Sequence, residues 1–107
     1  MSVSGRQFKY LLGWLIAGTR GGATRARIIR ALNEAPLNAN QLANLLKLDY
    51  RTIRHHLDVL QKNKIITSAG ERYGTTYFLS PMMEENYAMF EEILEKIWQK
   101  EKREESA

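Results

Sequence analysis

The stretch Asn38-Ala39-Asn40-Gln41-Leu42-Ala43-Asn44-Leu45-Leu46-Lys47-Leu48-Asp49-Tyr50-Arg51-Thr52-Ile53-Arg54-His55-His56-Leu57-Asp58-Val59-Leu60-Gln61-Lys62 decides the fold. It begins with a capping box: Asn38 stands at the N-cap and Gln41 three positions on. Leu42, Leu45 and Leu46 then mark the inner face of a short helix. Lys47-Leu48-Asp49 is a tight connection, and Asp49 is a good N-cap for a second helix over Tyr50 to about Lys62. In that helix Ile53, Leu57 and Leu60 recur at i, i+4 and i+7 and must face a core, with Val59 off the stripe. The opposite face carries Arg51, His55, Asp58 and Lys62, flanked by Thr52 and Arg54, with Tyr50 at the edge of the first turn.

Outward toward the N-terminus, Pro36 disfavours helical geometry at Ala35. A helix over about Ala23 to Glu34 should therefore stop there, with Ile28, Ile29 and Leu32 inward and Arg25, Arg27 and Arg30 outward. Thr19-Arg20-Gly21-Gly22 reads as a loop. Before it, Ser4 and Gln7 form a second capping box, and Phe8, Leu11, Leu12, Leu15 and Ile16 follow as one apolar stripe that Tyr10 and Trp14 widen. Gly18 is the expected stop.

Outward toward the C-terminus, Ile65-Ile66-Thr67-Ser68 and Thr75-Thr76-Tyr77-Phe78-Leu79 are rich in β-branched and aromatic residues and read as two strands. The intervening Ala69 to Gly74 reads as a hairpin loop. Pro81 closes the second strand, and a last long helix is expected over about Met82 to Lys102, frayed at its charged end. The order of elements is that of a winged helix-turn-helix, mainly α with a small β-hairpin (α+β). A single domain is expected, with a terminal helix over about 5–18, a winged core over 23–80 and a C-terminal helix over 82–102.

Composition agrees with this reading. At 107 residues the chain holds one core, and 44% hydrophobic with 26% charged residues is ordinary for a globular protein. There is no cysteine, which excludes disulfides, thiolate metal sites and cysteine nucleophiles. The apolar run Leu11 to Ala17 is far short of the roughly 20 residues of a membrane span. Ala17-Gly18-Thr19-Arg20 is a poor signal-peptide cleavage site, so a cytoplasmic protein with no membrane partner is expected.

The net charge of +4 hides an asymmetry. Met1 to Ile66 carries eleven Lys and Arg against three Asp and Glu, whereas Pro81 to Ala107 carries four against eight. A basic part suits a polyanion; the same charges also suit ordinary solvated helix faces.

A helix-turn-helix reads duplex DNA by laying its second helix in the major groove. The candidate DNA contacts are Tyr50, Arg51, Thr52, Arg54 and His55, with Lys62 and Lys64 beyond them and Arg72 at the hairpin tip. Arg51 and Arg54 suit guanine edges or phosphates. Lys62 and Lys64 suit a helix C-terminus as well as a phosphate. Arg72 reads either as a wing-tip contact to backbone or minor groove or as a solvated turn charge. Arg20, Gly21, Gly22 and Arg25 precede a helix N-terminus but form no phosphate-binding motif, and a simple loop is the reading. His55 and His56 are adjacent, so they point about 100° apart on a helix and do not converge on one metal. His56 falls on the core side and is expected to be a packed histidine. No metal and no cofactor are expected.

In the last helix Met83, Tyr87, Phe90, Leu94 and Ile97 alternate spacings of four and three, a short a/d seam. Together with the stripe of the first helix it suggests a homodimer whose interface draws on Leu11, Leu12, Leu15, Tyr87, Phe90, Leu94 and Ile97. The bland alternative is that the last helix folds back onto its own domain. The aromatic cluster Tyr10, Trp14, Tyr87, Phe90 and Trp98 reads as interface packing before it reads as a ligand site, and whether an effector exists is left open.

The segment Asn40 to Ala43, Leu48 to Leu57, Val59 and Leu60 resembles the helix-turn-helix of ArsR-like winged-helix regulators, archaeal ones in particular. Gly18-Thr19-Arg20-Gly21-Gly22 and Tyr73-Gly74 with Tyr77 to Ser80 resemble the same group, over roughly Trp14 to Ile97. The resemblance implies a dimeric DNA-binding transcriptional regulator with terminal helices at the dimer interface. Two departures matter. The cysteine pairs and late histidines of metal-sensing members are absent, so metal sensing does not carry over. Lys47 and Lys64 stand at turns where the family often has Gly. The rival readings are an architectural DNA-binding protein with little sequence preference and a protein-interaction module. No paired carboxylates, nucleophile–base set or phosphate loop is legible, so an enzyme is not expected.

Overall fold

The computed structural model describes residues 5–71 and 74–106; Ser4, Arg72 and Tyr73, named above, lie outside them. Helix α1 (Gly5–Gly13) runs into one π-helical turn, Trp14–Gly18. The widened turn leaves carbonyls that side chains occupy. Thr19 Oγ1 donates to Trp14 O at 3.2 Å, and Arg25 Nε donates to Leu15 O at 2.8 Å. Helix α2 (Gly22–Glu34) starts directly against this turn: a Cβ on Gly22 would lie 2.0 Å from Ile16 O, so only glycine fits. It ends where Ala35 turns extended (φ −165°, ψ 149°), the geometry that the following Pro36 imposes.

Helix α3 (Ala39–Leu46) opens on the expected capping box. Asn38 Oδ1 accepts from the Gln41 N–H at 2.7 Å, and the Asn38 N–H donates to Gln41 Oε1 at 2.8 Å. Helix α4 (Tyr50–Lys62) opens on Asp49, whose carboxylate accepts from the Thr52 N–H at 3.2 Å. The turns on either side of α4 hold Lys47 and Lys64 in left-handed backbone, φ 56° and 61°. Those are the two positions where glycine would be relaxed.

Strands β1 (Ile66–Ala69) and β2 (Thr76–Leu79) form an antiparallel hairpin with Ile66 opposite Leu79 and Ser68 opposite Tyr77. Leu37 adds one bridge on the free side of β2 at Tyr77, which ties the α2–α3 connection to the hairpin. Ser80 caps α5 (Pro81–Glu85), with Pro81 in its first turn. The chain then breaks at Asn86 and resumes as α6 (Tyr87–Ser106). The single last helix expected from about Met82 to Lys102 is therefore two helices. Asn86 caps the end of α5: its side-chain amide donates to Met82 O at 2.8 Å beside its own backbone N–H, which reaches Met82 O and Met83 O at 3.2 Å.

One apolar core draws on every helix and both strands, with Leu12, Leu15, Ile53, Leu57, Leu60 and Phe90 among its fully buried members. Three expectations change. Arg25 is not outward but 4% exposed. Leu45 is not inward but 59% exposed, and Ala39 and Ala43 take the inner face of α3 with Leu42. Leu12, Leu15 and Phe90 belong to the core of the chain itself and present no surface. No described helix is long and apolar enough to cross a membrane.

Candidate nucleic-acid interface

Helix α4 is held by one face and free on the other. Ile53, His56, Leu57 and Leu60 are buried, whereas Arg51, Thr52, His55, Asp58 and Lys62 are exposed. Positions 51, 55, 58 and 62 follow helical spacing, so their side chains share one face. Tyr50, half-exposed, stands at its N-terminal edge.

Arg54, at the flank of this free face, has the most defined geometry of its cations. Its NH1 donates to the Tyr77 hydroxyl at 2.6 Å, and its NH2 lies 3.7 Å from Asp58 Oδ1. Tyr77 is a buried residue of β2, so the bond joins α4 to the hairpin. Arg54, Tyr50, Thr75 and Asn40 line a small polar cleft of about 170 Å³ where the start of α3, the first turn of α4 and β2 converge. Guanidinium and hydroxyl groups meet there, a set that suits an anionic oxygen. Farther along, Gln61 Nε2 donates to Ser68 Oγ at 2.8 Å and fixes the other end of α4 to β1. Lys62 and Lys64 are exposed beyond it. The structure thus brings Tyr50, Arg51, Thr52, Arg54 and His55 to one end of α4, with Lys62 and Lys64 at the other, while Arg72 is outside the described residues.

His56 is packed, as its position on the stripe implied, at 7% exposure. Its partner is Arg25, whose NH1 lies 3.3 Å from His56 Nδ1. Burial holds the imidazole below its ordinary pKa, and the Arg25 charge and then His55 push the same way. Sequence reasoning missed both Arg25 as the partner of His56 and Tyr77 as the partner of Arg54. For Tyr77 a signal existed: the strand alternation places it on the buried face, where a phenol needs a partner. Among the described residues no group of three or more His, Asp or Glu converges on a metal-sized site.

The terminal helices leave a second surface. Tyr10 on α1 and Trp14 in the π turn are 74% and 57% exposed and, with Met89 and Ile93 of α6, wall a groove of about 760 Å³. A neighbouring groove of about 560 Å³ runs between the start of α2 and Leu94 and Ile97 of α6. Leu94 and Ile97 on that second groove are half-buried, as are Leu11 and Tyr87 elsewhere on the terminal helices, and Trp98 is 52% exposed with Lys102 Nζ 4.5 Å above its ring.

Residues 22–68, from the first residue of α2 into β1, match the family model described as bacterial regulatory protein, arsR family. No curated protein sequence matches the chain. Among solved structures, Rv0081 of M. tuberculosis superposes with a TM-score of 0.65 at 18% identity, over 94% of this chain and 98% of that one. MarR from E. coli, in its oxidized form, gives 0.63 at 18% identity, over 97% and 80%. MarR of Staphylococcus aureus, in complex with salicylate and kanamycin, gives 0.61 at 19% identity over 76% of this chain, which spans only 57% of that protein. The fold is a winged helix-turn-helix.

Proposed function

We propose, from an arsR-type helix-turn-helix set in a winged-helix fold, that this protein is a sequence-specific double-stranded-DNA-binding transcriptional regulator acting as a homodimer. The observation that carries the reading is α4: a core-locked face fixes its position, and the free face presents Arg51, Thr52, Arg54 and His55 together. In this reading α4, residues 50–62, enters the major groove and the wing, about 67–79, lies on the adjacent backbone or minor groove. Arg51 and Arg54 read base edges or hold phosphates, Tyr50, Thr52 and His55 add hydrogen bonds, and Lys62, Lys64 and Arg72 hold backbone. The proposed site is the cytoplasm, where the duplex is, and the proposed activity is binding, not catalysis.

The exposed Tyr10, Trp14 and Trp98 and the half-buried Leu11, Tyr87, Leu94 and Ile97 are the proposed dimer surface. Leu12, Leu15 and Phe90 support it from within the core. A twofold axis there would set the two recognition helices about one DNA turn, roughly 34 Å, apart. Hydroxyl-radical footprinting tests this: two protected tracts one turn apart support the reading. Uniform protection of any duplex would instead favour an architectural DNA-binding protein, a reading that the excess of cations before Ile66 also accommodates.

A further inference from the structure

The Arg25 guanidinium is buried, yet among the described residues it has no carboxylate at ion-pair distance. Hydrogen bonds replace one. Nε donates to Leu15 O at 2.8 Å, NH2 donates to Thr19 Oγ1 and to Arg20 O (3.2 Å), and NH1 donates to His56 Nδ1 at 3.3 Å. The first three acceptors all belong to the corner between α1 and α2, π turn included. The fourth is a side chain of the recognition helix. A guanidinium can only donate, so Nδ1 accepts and the neutral ring carries its proton on Nε2. The same corner closes over the ring: a Cβ on Gly21 (φ 89°) would lie 2.7 Å from His56 Cε1.

We propose that Arg25 is a positioning residue for DNA reading, tying the recognition helix to the α1–α2 corner through neutral His56, and that protonation of His56 releases this tie and weakens DNA binding. The inference rests on the DNA-binding reading above.

A proton on Nδ1 turns the acceptor into a donor and sets two cations at a 3.3 Å contact in a buried place. Arg25 keeps three other bonds, so His56 and the helix that carries it give way. Among the described residues the groups acting on the ring are Arg25 from α2 and His55 from its own helix, both basic, with no carboxylate to hold the charged form. His55 is the other imidazole of the helix and is exposed on the proposed reading face. The experiment therefore replaces it, so that the response is read from His56 alone.

The test measures duplex affinity by fluorescence anisotropy from pH 7.5 down through the pH at which the His56 ring protonates, at constant ionic strength, with far-UV circular dichroism confirming the fold at each pH. The variants are His55→Asn and the double variant His55→Asn/His56→Gln, whose amide oxygen keeps an acceptor for Arg25. The expected result is that His55→Asn loses affinity as pH falls through the depressed native pKa of His56, by up to about tenfold per pH unit for one linked proton, while the double variant stays flat. A flat or rising affinity in His55→Asn, or an equal fall in the double variant, overturns the inference and leaves the DNA-binding reading intact. Absence of duplex binding at pH 7.5 overturns both. Ring 15N resonances of His56 in the unaltered protein give a second readout. They are expected to report a protonated Nε2 at pH 7.5 and to titrate together with the His55-independent affinity loss. A protonated Nδ1 at pH 7.5 would contradict the contact itself.

Discussion

Arg54 of α4 donates to the hydroxyl of the buried Tyr77, in the second strand of the hairpin, at 2.6 Å. The bond ties α4 to the hairpin at the arginine proposed above to contact DNA. A long flexible side chain loses rotamer freedom on binding, and a side chain already fixed loses less.

Tyr77→Phe removes that hydroxyl and nothing else. Fold stability should fall by about 1 kcal/mol, the worth of a hydrogen bond to a charged group that water can partly replace. Affinity for a specific duplex should fall by about fivefold or more, because Arg54 must then be ordered during binding. Chemical denaturation and anisotropy measure the two effects separately.

Arg54→Ala should weaken specific DNA binding by about 1–3 kcal/mol if the guanidinium meets a base edge, with specificity relaxed at one position. Sedimentation should show the oligomeric state unchanged, since Arg54 lies on α4 and not on the terminal helices. Binding equal to the unaltered protein would mean that the reading face is wrongly assigned.

Lys47→Gly should stabilise the fold by about 0.5–1 kcal/mol. Lys47 sits at φ 56°, where a side chain costs roughly 1–2 kcal/mol and glycine does not, less the greater freedom glycine gains on unfolding. Urea denaturation reads the change directly. A loss of stability would show that the Lys47 side chain contributes more than its backbone strain costs.

Stability should fall on acidification below pH 6.5 through His56. Its native pKa is depressed by burial, then by Arg25, so between the native and ordinary values the unfolded chain binds the proton and the native chain does not. The contribution is complete above pH 6.5 and is lost as pH falls through the native value. Thermal melts of the unaltered protein and His56→Gln at pH 7.5 and 5.5 should differ in slope, with the variant less pH-sensitive.

Phe90→Asp and Trp14→Glu should separate core from surface. Phe90 is fully buried, so an aspartate there removes apolar packing, buries a charge and should cost more than about 3 kcal/mol, enough to unfold a domain this small. Trp14 is 57% exposed, so a glutamate there should keep the far-UV circular dichroism signal. On the proposed interface it should shift sedimentation from dimer to monomer. A dimer that persists in Trp14→Glu would move the interface elsewhere.

The elements were legible because their local signals are self-contained. The Asn38–Gln41 capping box, Asp49, Pro36 and the β-branched pair of strands each act within a few residues. What was not legible depended on pairs remote in sequence. Arg25 looks like any outward helix cation until Leu15 O, Thr19, Arg20 O and His56 Nδ1 converge on it. Leu45 fits a helical stripe, yet α3 meets the core through Ala39, Leu42 and Ala43, so the stripe is rotated from the one its leucines draw. The seam of the last helix was read as continuous, and Asn86 interrupts it after Met83. Leu12, Leu15 and Phe90 show the limit of reading apolar stripes: periodicity says that a face is buried, not whether the chain or a partner buries it.

The most direct measurement is fluorescence anisotropy of the unaltered protein on duplexes from the DNA upstream of its own gene and on scrambled duplexes, across a salt series with stoichiometry determined. The account predicts a preference of about 10³-fold or more for one fragment, with two chains per site. Equal binding to every duplex with a steep salt dependence, or no binding at low salt, would contradict it.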